Sequence, residues 1–174
     1  MGMKKQSTGT IFWRVFFTAL CLATYAFIFY NSARTGEESS AQSGSLTAWV
    51  QRLFKAIAPN SFIANAEGEA YEKLHVAIRT LAHFAEFGLL GASLVWCFAS
   101  YTREGIWFIV PVALILFSPV LDECIQLFAS ARVADVHDLI VDTAGGYAGA
   151  IFGWITTAIH SAIRKRRKNG TERL

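Results

Sequence analysis

The sequence predicts an all-α integral membrane protein, with four transmembrane helices plus an interfacial amphipathic helix in an outer loop. Three observations carry that expectation. Apolar residues make up 53% of the 174-residue chain against 17% charged, with a mean hydropathy of +0.37. Together with 14 Phe and 5 Trp, that balance is too apolar for a small globule, which must cover itself with polar side chains. Four runs approach the ~20 residues that cross a bilayer's hydrocarbon. Basic residues also flank both ends of the chain, the side a membrane protein keeps in the cytoplasm.

The length fits one domain over residues 1–174. The first run, residues 11–30, follows the basic flank "MGMKKQ". It is too long for a signal-peptide core, and no small-residue cleavage site follows, so it reads as an uncleaved span. Arg14, one turn inside, is placed to snorkel back to the headgroups. Further spans are expected over residues 80–100, 105–121 and 139–160. Pro111 and Pro119 in the third are tolerable where packed neighbours re-satisfy the freed backbone. Cys21, Cys97 and Cys124 form no CxxC pair and no zinc spacing, and read as buried small hydrophobes.

Lys4, Lys5 and the cluster Arg164–Lys168 put both termini, including a basic tail over 161–174, in the cytoplasm. The 31–79 loop and the 122–138 connection are then outside. Sorted this way, only Glu104 and Glu172 of the 13 acids fall inside. The rest sit in outer loops or at the outer ends of the spans. Within the outer loop, "NSARTGEESSAQSGS" reads as polar and turn-like. Leu46, Trp49, Val50, Leu53, Phe54 and Ile57 then recur at helical spacing, an amphipathic interfacial helix capped by Ser43 or Ser45 and ended before Pro59. A second helix is expected from about Asn65 into the second span.

The charged groups within the spans are the informative ones, because ionisable side chains there are costly and face partners or a wet cavity. Arg79, His83 and Glu86 share one helical face, either as an interfacial ion pair or as a site. Asp122 and Gln126 share a face at the end of span three, with Glu123 beside them. Two carboxylates at a helix C-terminus oppose the macrodipole, so they call for a cation, a proton or hydrogen-bond donors. Asp135, Asp138 and Asp142 are spaced three and four apart. Asp138 suits a helix cap, Asp142 lies a turn deeper, and Asp135 reads as a loop residue paired with Arg132. His75 and His137 read as headgroup-level histidines. Gly145, Gly149 and Gly153 read as a close-packing stripe, and Trp49, Trp96, Trp107 and Trp154 as interface anchors or core.

No GxSxG elbow, HExxH or phosphate loop is present. The tail "RKRRK" suits anionic lipid better than nucleic acid. Four stretches in order, "NSARTGEESSAQSG", "RTLAHFAEFGLLG", "DECIQLF" with Arg132, and "DVHDLIVDTAGGYAG", resemble the VanZ-like membrane proteins. The family pattern falls on Ser39, Ser40, Ser43, Arg79, His83, Glu86, Asp122, Glu123, Gln126, Arg132, Asp135, Asp138, Asp142 and Gly145. Thr80, Phe87 and Ala131 stand where the family often has Lys, Tyr and Gly. The resemblance implies a membrane location and, for the founding member, reduced susceptibility to teicoplanin. It implies no particular reaction.

Two functional expectations follow. In the first, the outer-leaflet groups bind an envelope lipid, a lipid-linked cell-wall precursor or a lipophilic glycopeptide. Arg79 and Arg132 would contact phosphate or carboxylate, and Asp122, Glu123, Asp138 and Asp142 would contact hydroxyls, amines or a bridging cation, with His83, Glu86, Gln126 and Asp135 completing the ligand-binding candidates. In the second, the site is a membrane-embedded hydrolase or transferase acting on an envelope lipid. Glu86, His83 and Asp138 are the catalytic candidates, and His83, Glu86, Asp122, Glu123 and Asp142 the candidate ligands of a divalent metal.

Overall fold

Helix accounts for all regular structure in the computed structural model, which describes residues 8–102, 106–129 and 135–171. The elements are α1 (Thr8–Ser32), α2 (Gly36–Ile57), α3 (Glu69–Tyr101), α4 (Ile106–Phe128) and α5 (Val136–Thr171). Three stretches are long and apolar enough to cross a membrane: Gly9–Ser32, Glu69–Tyr101 and Phe108–Phe128. The expected fourth span lies within α5, which is not among them. Its apolar content is diluted by Gly145, Gly146, Gly149 and Gly153 and by several threonines.

Those glycines have a packing role. Helix α3 lies centrally and packs against all four other helices, most extensively against α5. A Cβ at Gly149 would collide with the carbonyl oxygen of Gly88, one at Gly145 with that of Phe84, and one at Gly153 would lie 2.9 Å from Val95 Cβ. Backbones approach this closely only where side chains are absent. Trp96 Nε1 adds a 2.9 Å bond to Thr156 Oγ1 across the same interface.

Polarity runs opposite to that of a soluble fold. Asp122, Glu123, Gln126, Asp138 and Asp142 are buried, whereas Phe12, Phe16, Phe117, Phe128, Ile151 and Ile155 are exposed. The apolar core between the helices comprises Cys21, Ile28, Phe87, Leu90, Leu94, Val95, Ile115 and Ala150. Arg14 Nε donates to the Ser100 carbonyl oxygen at 2.9 Å, placing the start of α1 beside the end of α3. Tyr25 Oη and Ser118 Oγ, 2.8 Å apart, join α1 to α4.

Several sequence-based expectations need correction. The "turn-like" stretch is a turn only at residues 33–35 and is otherwise helical, and α2 begins ten residues before the expected Leu46. Its start is a capping box that the sequence carries as Thr35-x-x-Glu38. Glu38 N donates to Thr35 Oγ1 at 3.2 Å, and Thr35 N to Glu38 Oε2 at 3.1 Å. Neither Ser43 nor Ser45 caps, because both lie inside the helix. The second helix begins at Glu69, after Gly68 at φ +53°, a left-handed conformation natural to glycine. Helix α4 continues through Asp122, Glu123 and Gln126 to Phe128, beyond the expected end at 121. Cys21 is buried as expected, but Cys124 is exposed.

Candidate functional site

Side chains from α1, α3, α4 and α5 meet at one end of the bundle. On α3, Arg79, His83 and Glu86 occupy successive turns of one face. Arg79 Nη2 stands 3.2 Å from Asp138 Oδ2. One turn further, His83 Nδ1 stands 3.2 Å from Asp142 Oδ1. The four-residue spacings, Arg79 to His83 on α3 and Asp138 to Asp142 on α5, therefore match each other across the glycine-packed interface. Asn31 Nδ2, at the end of α1, donates to Glu86 Oε1 at 3.5 Å.

The acids at the end of α4 are resolved by donors. Ser32 Oγ donates to Asp122 Oδ1, and Gln126 Nε2 donates to Asp122 Oδ2 at 2.7 Å. Glu123 Oε2 accepts from the Asp135 backbone N–H at 3.0 Å. These bonds offset the unfavourable macrodipole at that helix end. Among the described residues, Asp142 Oδ2 and Glu123 Oε1 are buried without a hydrogen-bond partner.

Asp135 and Asp138 exchange their expected roles. Asp135 Oδ1 accepts from His137 N at 2.8 Å and its carbonyl from Leu139 N at 3.2 Å, so Asp135 caps α5. Asp138, expected as the cap, pairs with Arg79. Arg132, expected beside Asp135, lies outside the described residues. His137 is exposed, with Nδ1 3.8 Å from Asp138 Oδ1.

Two cavities flank Arg79. The first, of about 210 Å³, has a polar wall of Asn31, Arg79, His83, Glu86 and Asp122, and an apolar wall that includes Phe27, Ile28, Leu46 and Phe87. The second, of about 640 Å³, is bordered by Glu37, Ser40, Gln126, Asp135, His137 and Asp138. Arg79 and Ser39 line both. The polar start of α2 thus roofs the site.

Asn31, Ser32 and Gln42 are site residues that the sequence reading left unassigned, whereas Leu46, expected in the interfacial helix, also lines the cavity. Thr35-x-x-Glu38 was the signal available for the α2 contribution, since it moves the helix start toward the site. Nothing local marks Ser32, whose part depends on a contact with a residue 90 positions away. Among the described residues, no group of three or more His, Cys, Asp or Glu is arranged to hold a metal ion. The five candidate ligands, His83, Glu86, Asp122, Glu123 and Asp142, engage separate neighbours: Asn31, Ser32, Gln126 and the Asp135 backbone, and His83 with Asp142.

A bundle whose apolar residues face outward and whose acids, His and Arg gather at one end defines a class: a helical membrane protein with a buried polar site. The chain belongs to the VanZ/LLP1 family, whose model matches residues 16–157. That match takes in every site residue described above. No match is found among curated proteins or among solved structures.

Proposed function

We propose that this VanZ-like chain spans the bacterial cytoplasmic membrane four times, with both termini cytoplasmic and the polar cluster in the outer leaflet. There it binds an envelope lipid, a lipid-linked cell-wall precursor or a lipophilic glycopeptide, and so affects envelope properties or teicoplanin-type susceptibility. The observation that carries this reading is the two-faced cavity beside Arg79, whose apolar wall suits a chain and whose polar wall suits a headgroup. The exposed Leu46, Trp49, Leu53 and Ile57 of α2 support an interfacial position for the roof. The exposed Ile140, Ile151, Phe152, Ile155 and Ile159 support a fourth span within α5. Membrane lipids are accordingly the expected partners.

Native mass spectrometry in mild detergent tests the reading, with wild type beside Glu86→Gln and Arg79→Gln. A lipid adduct on wild type, weakened in both variants, is the expected result. Equal adducts on all three would remove the cavity as the binding site.

A second reading, a hydrolase or transferase acting at the same place, is favoured by one observation. His83, the paired partner of Asp142, lies on the cavity wall within a turn of Glu86.

A further inference from the structure

We propose that His83 is a general base oriented by Asp142, and that the amphiphile in the smaller cavity is a carboxylic ester which this pair hydrolyses. The inference rests on the proposed binding of an amphiphile in that cavity.

The geometry starts from Asp142. Its side chain is fully buried, and Oδ1 lies 3.2 Å from His83 Nδ1. An Nδ1–H donating to that oxygen fixes the tautomer and leaves the lone pair on Nε2, at the opposite edge of the ring. His83 lines the cavity, and with Nδ1 bonded to Asp142 this hydrolysis requires Nε2 to meet the water there. A base held by a buried carboxylate, next to a polar pocket, is the arrangement that activates an oxygen nucleophile.

The walls indicate the substrate class. Glu86 and Asp122 face the cavity, and Arg79 on the same wall is already engaged by Asp138. At the reacting position beside His83, a phosphate ester would bring its own negative charge against those carboxylates, whereas a carboxylic ester is neutral. Phe27, Ile28, Leu46 and Phe87 offer apolar contact to its acyl chain. The volume, about 210 Å³, equals roughly seven waters at ~30 Å³ each. That is room for an ester group, the first carbons of its chain and a water.

In the step itself, the water oxygen bonds to the ester carbonyl carbon while its proton passes to His83 Nε2. Arg79 has further N–H groups beyond the one bonded to Asp138, and these stabilise the developing oxyanion. Collapse breaks the carbon–oxygen bond to the alcohol, and Nε2 returns the proton to the departing oxygen. The products are a carboxylic acid and an alcohol, with no change in oxidation state.

The test uses the full chain in mild detergent with p-nitrophenyl butyrate, against p-nitrophenyl phosphate as the charged counterpart. Wild type should release p-nitrophenol from the butyrate alone. His83→Gln, whose amide can still donate to Asp142, should lose about 100-fold or more of the rate. His83→Ala should regain activity with added imidazole, a rescue that a purely structural histidine would not show. Asp142, a positioning residue, should give Asp142→Asn a lower kcat at similar KM, with no imidazole rescue. An adduct without turnover in wild type, turnover that survives His83→Gln, or turnover of the phosphate alone would each overturn the proposal and leave the binding reading intact. Absence of any lipid adduct on wild type would remove both.

Discussion

Ser32, the last residue of α1, is hydrogen-bonded to Asp122 near the end of α4, and both side chains are buried. The bond closes the polar end of the bundle, because α1 and α4 are otherwise held together lower down by Tyr25 and Ser118. It also places a donor beside a carboxylate that the dipole of α4 disfavours.

Ser32→Ala should therefore cost about 1.5–3 kcal/mol, the usual contribution of a hydrogen bond to a charged group. Asp122→Asn alone should also destabilise, since an amide accepts through one oxygen where the carboxylate accepts through two. The double variant should lose less than the sum, because both changes remove the same contact. Thermal unfolding of the four proteins in one detergent measures the cycle. Strict additivity would show that the contact contributes nothing.

How much of this was legible beforehand depends on the range of the interaction. Periodicity placed Arg79, His83 and Glu86 on one face, and the dipole argument showed that Asp122 and Glu123 needed a cation, a proton or hydrogen-bond donors. Hydrophobic run length found the three stretches that are long and apolar enough to cross, placing both ends of the first, the end of the second and the start of the third within a few residues. The donors themselves were not legible. Asn31 and Ser32 sit at the end of an apolar run where polar residues are ordinary, and only the packing of α1 on α3 and α4 gives them partners. The polar start of α2 was misread for a different reason. Its composition is that of a turn, yet the capping box at Thr35 and Glu38 outweighs composition by satisfying two backbone donors. The exchange between Asp135 and Asp138 turned on where α5 begins, a boundary that periodicity locates only to within a turn.

That capping box should be worth about 1 kcal/mol to the start of α2, so Thr35→Ala should fray its first turns. Because Ser39, Gln42 and Ser43 line the smaller cavity, the fraying should reach the site. Hydrogen exchange at residues 36–40 should accelerate while exchange within α3 stays unchanged. Unaltered exchange at 36–40 would mean that tertiary contacts, not the cap, hold this helix start.

The α3–α5 interface should be the least tolerant of added volume. Gly149→Ala places a methyl group against the Gly88 backbone, which has no side chain to swing away. Overpacking of this kind costs about 1–3 kcal/mol, and here it should also loosen the Arg79–Asp138 and His83–Asp142 pairs. Gly44→Ala is the matched control. Its new Cβ would meet only His75 Cε1 at 3.9 Å, an ordinary contact, and the gain in helix propensity makes it neutral to stabilising. Melting temperatures should fall for the first and hold or rise for the second. Equal effects would show that helix propensity dominates over interhelix packing.

The last expectation concerns α5, whose hydropathy alone does not mark it as a span. If α1, α3 and α4 cross and α5 does not, the basic end of α5 stays on the same side as the turn after α2. If α5 crosses, Lys165 lies opposite Asn60. The second outcome is expected, because Ile151, Phe152, Ile155 and Ile159 are exposed along about two and a half turns and would otherwise face water. Of the glycines that lower the helix's hydropathy, Gly145, Gly149 and Gly153 face α3 and Gly146 faces Ile115 of α4, so none of them faces lipid. With the three native cysteines replaced by serine or alanine, Asn60→Cys and Lys165→Cys each offer one thiol. A membrane-impermeant maleimide added to intact cells should label Asn60→Cys strongly. It should label Lys165→Cys only after permeabilisation. Labelling of both in intact cells would put α5 on the outer surface, and the exposed isoleucines would then need a protein partner instead of lipid.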